Sequence, residues 1–355
     1  MRPFNFTFAT DPAGAVQAAA GARAAAGAAA GGSAGGVVNG GDAKGGVEYL
    51  AGGTTLVDLM KLDVMRPAQL IDITRMASPQ MHAIDIGPQG LRIGALATMR
   101  QVADHAGVRR DYPVVAQSLQ LAASQQLRNM ARVGGNVLQR TRCAYFRDTS
   151  WPCNKRTPGA GCAAMEGENR WHAVLGASDQ CIASYPGDWA TALIALDTTV
   201  NVMGSSGPRA MPFAQLHRLP GKTPHLETTL APGDLITDFV IAAGAHTRRS
   251  LYLKVRDRES YEFALASAAV ALDLDGDTVR QVRIGLGGPV AVPWRAREAE
   301  ALLISKPLNE ANATAAARAA FAAAKPRAHN AFRIPLGQQT LVRALLQART
   351  MELVA

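Results

Sequence analysis

The apolar positions of this 355-residue chain change period along its length, and each change marks an element. Residues 4–8 (FNFTF) alternate apolar and polar side chains, which is the period of a half-buried strand. Asp11-Pro12 then supplies an N-cap and a first-turn proline for an Ala-rich helix running to about Ala30. Residues 47–50, 69–73 and 91–93 read as short strands, and residues 98–106 and 112–127 as helices, the second with Pro113 in its first turn. Beyond a stretch rich in Cys, Gly and Pro, residues 189–196 read as a helix and residues 199–203 and 234–241 as strands. Near residue 245 the pattern changes: residues 251–256, 263–274 and 279–286 read as an antiparallel sheet with Asp275-Gly276 as a hairpin turn. Helices over 295–304, 309–324 and 336–346 complete the chain. A sheet followed by helices predicts a separate α+β domain, dividing the chain into residues 1–245 and 246–355.

Composition supports a packed chain with two or three domains, because 48% of the residues are hydrophobic and 18% charged. Half of residues 31–46 are glycine, so the segment from about residue 20 to 46 reads as a helix end and a flexible linker. The formal charge is +9, but the 37 basic residues are scattered and only 5% of the chain is aromatic. A nucleic-acid surface with interleaved stacking rings has little to draw on, whereas docking to acidic protein partners stays open. Residues 18–30 are, apart from Arg23, Ala and Gly rather than strongly apolar, and the first residues lack the apolar core of a secretory signal. The expectation is no membrane span and no export signal of its own.

Two segments suit close approach to an anion. Leu50-Ala51-Gly52-Gly53-Thr54-Thr55-Leu56 follows a predicted strand and offers bare backbone N–H groups and two hydroxyls. An ordinary glycine turn accounts for the same letters. The second, residues 128–137 (RNMARVGGNV), pairs Gly134 and Gly135 beside Asn136. Two such segments make a pyrophosphate-bearing dinucleotide plausible, although neither spells the Rossmann GxGxxG.

All four cysteines, Cys143, Cys153, Cys162 and Cys181, fall within 39 consecutive residues. A secreted disulfide framework belongs to a much shorter chain, so they read as one local site. The spacing lacks the close CxxC pairs of zinc and thioredoxin sites, and four thiolates from a Gly/Pro-rich stretch suit an iron–sulfur cubane. Zinc, disulfides and free thiols remain open on spacing alone. Arg140, Arg142, Arg147, Lys155 and Arg156 stand close in sequence and would favour thiolates. The seven histidines show no metal-ligand spacing, and no catalytic acid, base or nucleophile stands out.

Four stretches, AGGTTLVDLMK, RNMARVGGN, GDWATALIALD and LGGPVAVPWRAREAEALL, occur in an order that resembles the FAD-binding medium subunit of the xanthine dehydrogenase and aldehyde oxidase family of molybdenum hydroxylases. The cysteine insertion at 140–182 is most similar to that of the flavin subunit of bacterial periplasmic aldehyde oxidoreductases, which carries an additional [4Fe–4S] cluster. The resemblance implies a two-subdomain FAD-binding domain of the vanillyl-alcohol-oxidase type followed by a small α+β domain of the CO dehydrogenase flavoprotein type. It implies that residues 50–56 wrap the FAD pyrophosphate, that Gly134, Gly135 and Asn136 form a second flavin loop, and that Asp188, Ile236 and Lys254 contact the cofactor. Where the family has Ser or Thr this chain has Arg132, so a hydroxyl contact is lost there.

By the same resemblance the four cysteines ligate one [4Fe–4S] cluster. The partners implied are a large subunit with the molybdenum cofactor, where substrate is oxidised, a small subunit with [2Fe–2S] clusters, and an external electron acceptor. The complex would be periplasmic by co-export with a partner, or cytoplasmic. Competing expectations are a self-sufficient FAD oxidoreductase, for which no substrate base is visible, and a zinc-stapled scaffold.

Overall fold

The computed structural model describes residues 1–29 and 45–353, so the predicted linker lies, except for Gly45 and Gly46, outside the described residues. Helices and sheets are mixed in an α+β architecture with three sheets. The first holds β1 (Asn5–Phe8), β2 (Val47–Leu50) and β3 (Gln69–Asp72), all parallel, in the order β1-β3-β2. The second holds β4 (Ile84–Gly87), β5 (Gly90–Gly94), β6 (Thr199–Gly204), β7 (Gly207–Pro212) and β8 (Leu235–Ala242), antiparallel, in the order β4-β5-β8-β6-β7. The third is an antiparallel sheet of β9 (Ser250–Val255), β10 (Ala266–Asp275), β11 (Thr278–Gly287) and β12 (Trp294–Arg295).

The third sheet is buried on both faces. Ala269 and Ala271 of β10 join the larger core with the helices Pro113–Gln120 and Trp189–Ala195, while Ala268, Val270 and Leu272 face the helices Glu310–Ala320 and Arg333–Arg349. Small residues make the first contact possible. A Cβ on Gly285 would overlap the Thr191 carbonyl, so the sheet and the helix Trp189–Ala195 meet at backbone distance.

Three expectations need correction. The strand at 4–8 is not half-buried: all four residues of β1 are exposed, with Phe6 and Phe8 meeting edge to face and the Arg75 guanidinium over Phe8. β1 is an edge strand whose pairing partner β3 carries the buried face, so its alternation does not report burial. The predicted helix 112–127 is two helices, Pro113–Gln120 and Gln125–Met130. Local propensity would carry the helix through, but Ala123 takes a positive φ of 49° and Ser124 caps the second helix by accepting from Leu127 N. Cations claim the freed carbonyls: Lys254 and Arg256 donate to Leu121 O, and Arg128 to Ala122 O. The predicted helix 98–106 likewise divides at His105, whose Nδ1 accepts from Val108 N and caps a further helix, Ala106–Asp111.

Candidate functional site: a glycine-walled cavity and a cysteine segment

The loop between β2 and the helix Leu56–Lys61 carries Gly52 and Gly53, and Gly53 needs its freedom because its φ is +71°. Gly52 needs its missing side chain. A Cβ there would overlap Met130 O, so the first predicted loop is pressed against the segment that leads into the second. Gly134 is also tight, with an added Cβ 2.7 Å from Ala95 Cβ, and its N–H donates to Ala95 O. Gly135, by contrast, meets only Ala51 Cβ at 4.0 Å and turns its open side outward.

Between these segments lies a cavity of about 270 Å³. Its walls include Ala51, Gly52, Gly53, Thr54, Thr55 and Leu56 from the first loop, Gly134, Gly135 and Asn136 from the second, and Ile236 from β8. Leu50 is off the wall and packs instead with Leu59, Leu70 and Phe146. Asp188 and Lys254 do not line the cavity either. They pair with each other, Lys254 Nζ to Asp188 Oδ2 at 2.7 Å, and Tyr252 OH donates to Asp188 Oδ1 at 2.6 Å. Burial pushes the Asp188 carboxyl above its ordinary range, against the nearby Lys254 ammonium and the two hydrogen bonds.

The cavity has polar walls that spacing did not reveal. Arg23, Arg132 and Arg140 line it, with Glu227 and Asp234. Arg140 is held by Glu227 at 2.6 Å, and Lys155 lies 3.7 Å from the same carboxylate. Burial pushes Glu227 up, but the two cations outweigh it and hold the carboxyl below the usual range. Arg23 and Arg132 have buried Nε atoms without hydrogen-bond partners, and Asn136 Oδ1 is also buried without one. These atoms fit a polar, anionic guest, whose charge would meet guanidinium groups and bare backbone at once. Arg23 carried a faint sequence signal, being the one charged side chain within Pro12–Ala29. Glu227 and Asp234 had none, because they come from loops far away in sequence.

The four cysteines are free thiols. Cys153 and Cys162 face each other across an isolated antiparallel bridge. Cys153 lies within electrostatic reach of Cys143, Cys162 and Cys181. Burial pushes Cys143 up to about 12 and Cys181 up to about 11, so the metal-free thiols hold their protons. Backbone N–H groups point at the sulfurs, Ala183 N lying 3.5 Å from Cys181 Sγ, and His172 Nε2 lies 3.2 Å from Cys143 Sγ. The expected cationic surroundings are largely committed elsewhere. Arg142 and Arg147 pair with Asp58, Arg140 and Lys155 with Glu227, and Arg156 donates to the carbonyls of Tyr145, Phe146 and Trp151. Among the described residues no three His, Cys, Asp or Glu side chains converge to hold a metal ion.

A second, smaller cavity of about 40 Å³ contains Cys181, His217 and Tyr185 on its wall and shares Leu138, Glu227 and Thr228 with the first. The cysteine segment and the glycine-walled cavity are therefore neighbours across one layer of side chains.

Comparison with known proteins agrees with this geometry. Residues 33–242 match the model of the FAD binding domain in molybdopterin dehydrogenase, and residues 251–348 that of the CO dehydrogenase flavoprotein C-terminal domain. The chain is 45% identical to the aldehyde oxidoreductase FAD-binding subunit PaoB of Escherichia coli strain K12, over 86% of this chain and 92% of that one. It is 24% identical to the glyceraldehyde dehydrogenase medium chain of Sulfolobus acidocaldarius, over 74% of each chain. Its fold matches that in the reconstituted CO dehydrogenase from Oligotropha carboxidovorans with a TM-score of 0.72 at 20% identity, covering 99% of both chains. With both loops on one cavity wall and both family models matched, the chain belongs to the FAD-binding medium subunits of the molybdenum hydroxylases.

Proposed function

We propose that this chain carries the FAD and one [4Fe–4S] cluster of a heterotrimeric, molybdenum-dependent aldehyde oxidoreductase. In that role it passes electrons from a small [2Fe–2S] subunit to an external acceptor, while aldehyde is oxidised on the large molybdenum subunit. The observation that carries the reading is the cavity itself: two glycine loops about eighty residues apart in sequence, locked together where Gly52 meets Met130, open onto one space with unpartnered guanidinium nitrogens. The 45% identity to an aldehyde oxidoreductase subunit supports the substrate class.

Bound there, FAD would supply a two-electron acceptor that releases its electrons singly. The chain's own residues do the rest. Gly135 lets the backbone approach the pyrophosphate, Gly52 and Gly53 shape the first loop against Met130 so that its backbone lines the same space, and Arg23 and Arg132 offset the charge. Ile236 supplies an apolar wall. Asp188 and Lys254 act by holding β9 against the helix Trp189–Ala195, which fixes the frame of the cavity.

For the cluster, support comes from four free cysteines in one segment, their mutual electrostatic reach and the N–H groups aimed at their sulfurs. Thiolates on a single zinc ion stand roughly 4 Å apart, given Zn–S bonds of about 2.3 Å, whereas a cubane spreads its ligands more widely. The shared wall at Glu227 suits electron exchange between the two groups.

Anaerobic purification of the complex, with assays of FAD, iron, acid-labile sulfide and zinc, tests the reading. FAD with iron and sulfide is expected, and aldehyde turnover by the assembled complex but not by the isolated chain. Zinc without flavin, or aldehyde turnover by the chain alone, would overturn it.

A further inference from the structure

We infer that His172 is a positioning residue for Cys143, donating its Nε2–H to the sulfur and holding it as a metal-bound thiolate; the inference rests on the cluster reading above. Nε2 lies 3.2 Å from Cys143 Sγ, inside the range of a hydrogen bond to sulfur. A ligated thiolate has no proton to give, so the shared proton sits on the imidazole. Among the described residues Cys143 is the one cysteine whose sulfur has a side-chain donor.

The backbone of His172 is held in place from behind, while its second ring nitrogen, Nδ1, is buried without a hydrogen-bond partner and leaves Nε2 as the one ring nitrogen with a partner. His172 is 4% exposed, and its carbonyl accepts from Arg333 Nη1 at 2.9 Å and Asn330 Nδ2 at 3.3 Å. Both partners are themselves buried, at 1% and 0% exposure. Arg333 spends its other donors on Leu265 O, Ala264 O and Ser184 Oγ, and no carboxylate among the described residues pairs with it. A buried guanidinium without a counter-charge is costly. The start of the helix Arg333–Arg349 thus reaches the cysteine segment through one histidine.

A hydrogen bond to a ligand sulfur stabilises the more negative, reduced form of a cluster and raises its reduction potential. His172→Leu in the assembled complex should keep its iron and sulfide while the cluster potential moves to more negative values. His172→Gln, which can still present an N–H, should recover most of that shift. Unchanged potential in an iron-replete His172→Leu protein overturns the donor role. Should that variant fail to assemble, selective ¹⁵N-histidine labelling of the unaltered complex decides. Weak coupling of one histidine nitrogen to the reduced cluster in pulsed EPR is expected; no coupling, or coupling strong enough for direct iron ligation, overturns the inference. Cys153→Ser separates the two levels, because retained iron and sulfide there overturn the cluster reading itself.

Discussion

Lys254 and Asp188 form a buried ion pair, Nζ to Oδ2 at 2.7 Å, with 0% and 5% of their side chains exposed. The pair joins β9 of the third sheet to the start of the helix Trp189–Ala195, and Lys254 also donates to Leu121 O in the break between two helices. One ammonium therefore ties three segments together. A buried pair of this kind is worth little over an apolar replacement but is costly to break.

Asp188→Ala should therefore destabilise the chain by ~3–5 kcal/mol, since it leaves an ammonium buried without its counter-charge. The double variant Asp188→Ala/Lys254→Met should be markedly more stable than Asp188→Ala alone. Urea unfolding of the two variants checks this, and strict additivity would show that the pair does not act as a unit.

The glycines divide into two kinds. Gly52→Val cannot be accommodated against Met130 O and should lose both stability and FAD. Gly135→Val meets no backbone, so the fold should hold while its side chain blocks the cavity. Thermal unfolding beside flavin content distinguishes them, and full FAD occupancy in Gly135→Val would remove the second loop from the binding site.

Arg132 stands on the cavity wall beside the second glycine loop. Its Nη1 donates to Leu96 O while Nε is left free beside the cavity, and burial lowers the guanidinium pKa. Arg132→Met should weaken FAD binding about tenfold, or ~1.4 kcal/mol, for one lost charge-assisted contact. Arg132→Ser should recover part of this. Flavin fluorescence titrations at two salt concentrations test it, the unaltered chain showing the steeper salt dependence.

His217 makes stability depend on pH. Its ring packs against Tyr185 and Phe213, Nε2 donates to Val137 O at 2.9 Å, and desolvation lowers its pKa to about 4. The unfolded chain takes up this proton first as pH falls from about 6.5, so stability is full above that value and is lost progressively toward pH 4. The contribution is at most ~3 kcal/mol. His217→Gln keeps a donor for Val137 O and should narrow the gap between urea midpoints at pH 7 and pH 5. An unchanged gap would assign the acid sensitivity to other groups.

Much of this protein was legible in its sequence because the signals were local. β2 begins and ends where its four residues predict, the strands of the third sheet lie close to where their runs fall, and the hairpin turn falls one residue later than predicted, on Gly276 and Asp277, with Asp275 closing β10 opposite Thr278. The two glycine loops could be named because close backbone approach demands glycine itself, and the cysteines because they crowd into one segment.

Tertiary structure decided what distant residues do to one another. Alternation in β1 could not tell an exposed edge from a covered one, since that depends on which strand lies beside it. Helix propensity over 112–127 could not foresee that Lys254 of β9 and Arg256 just beyond it would stabilise a break at Leu121. Asp188 and Lys254 were named separately, and only the packing of the third sheet made them partners away from the cavity wall. Arg23, Glu227 and His172 carry charge or hydrogen bonds whose meaning lies in partners up to 161 residues away, as the contact between the His172 carbonyl and Arg333 shows. Local sequence sets which conformations a segment prefers; burial, charge pairing and desolvation, which require the whole chain, decide what its side chains meet.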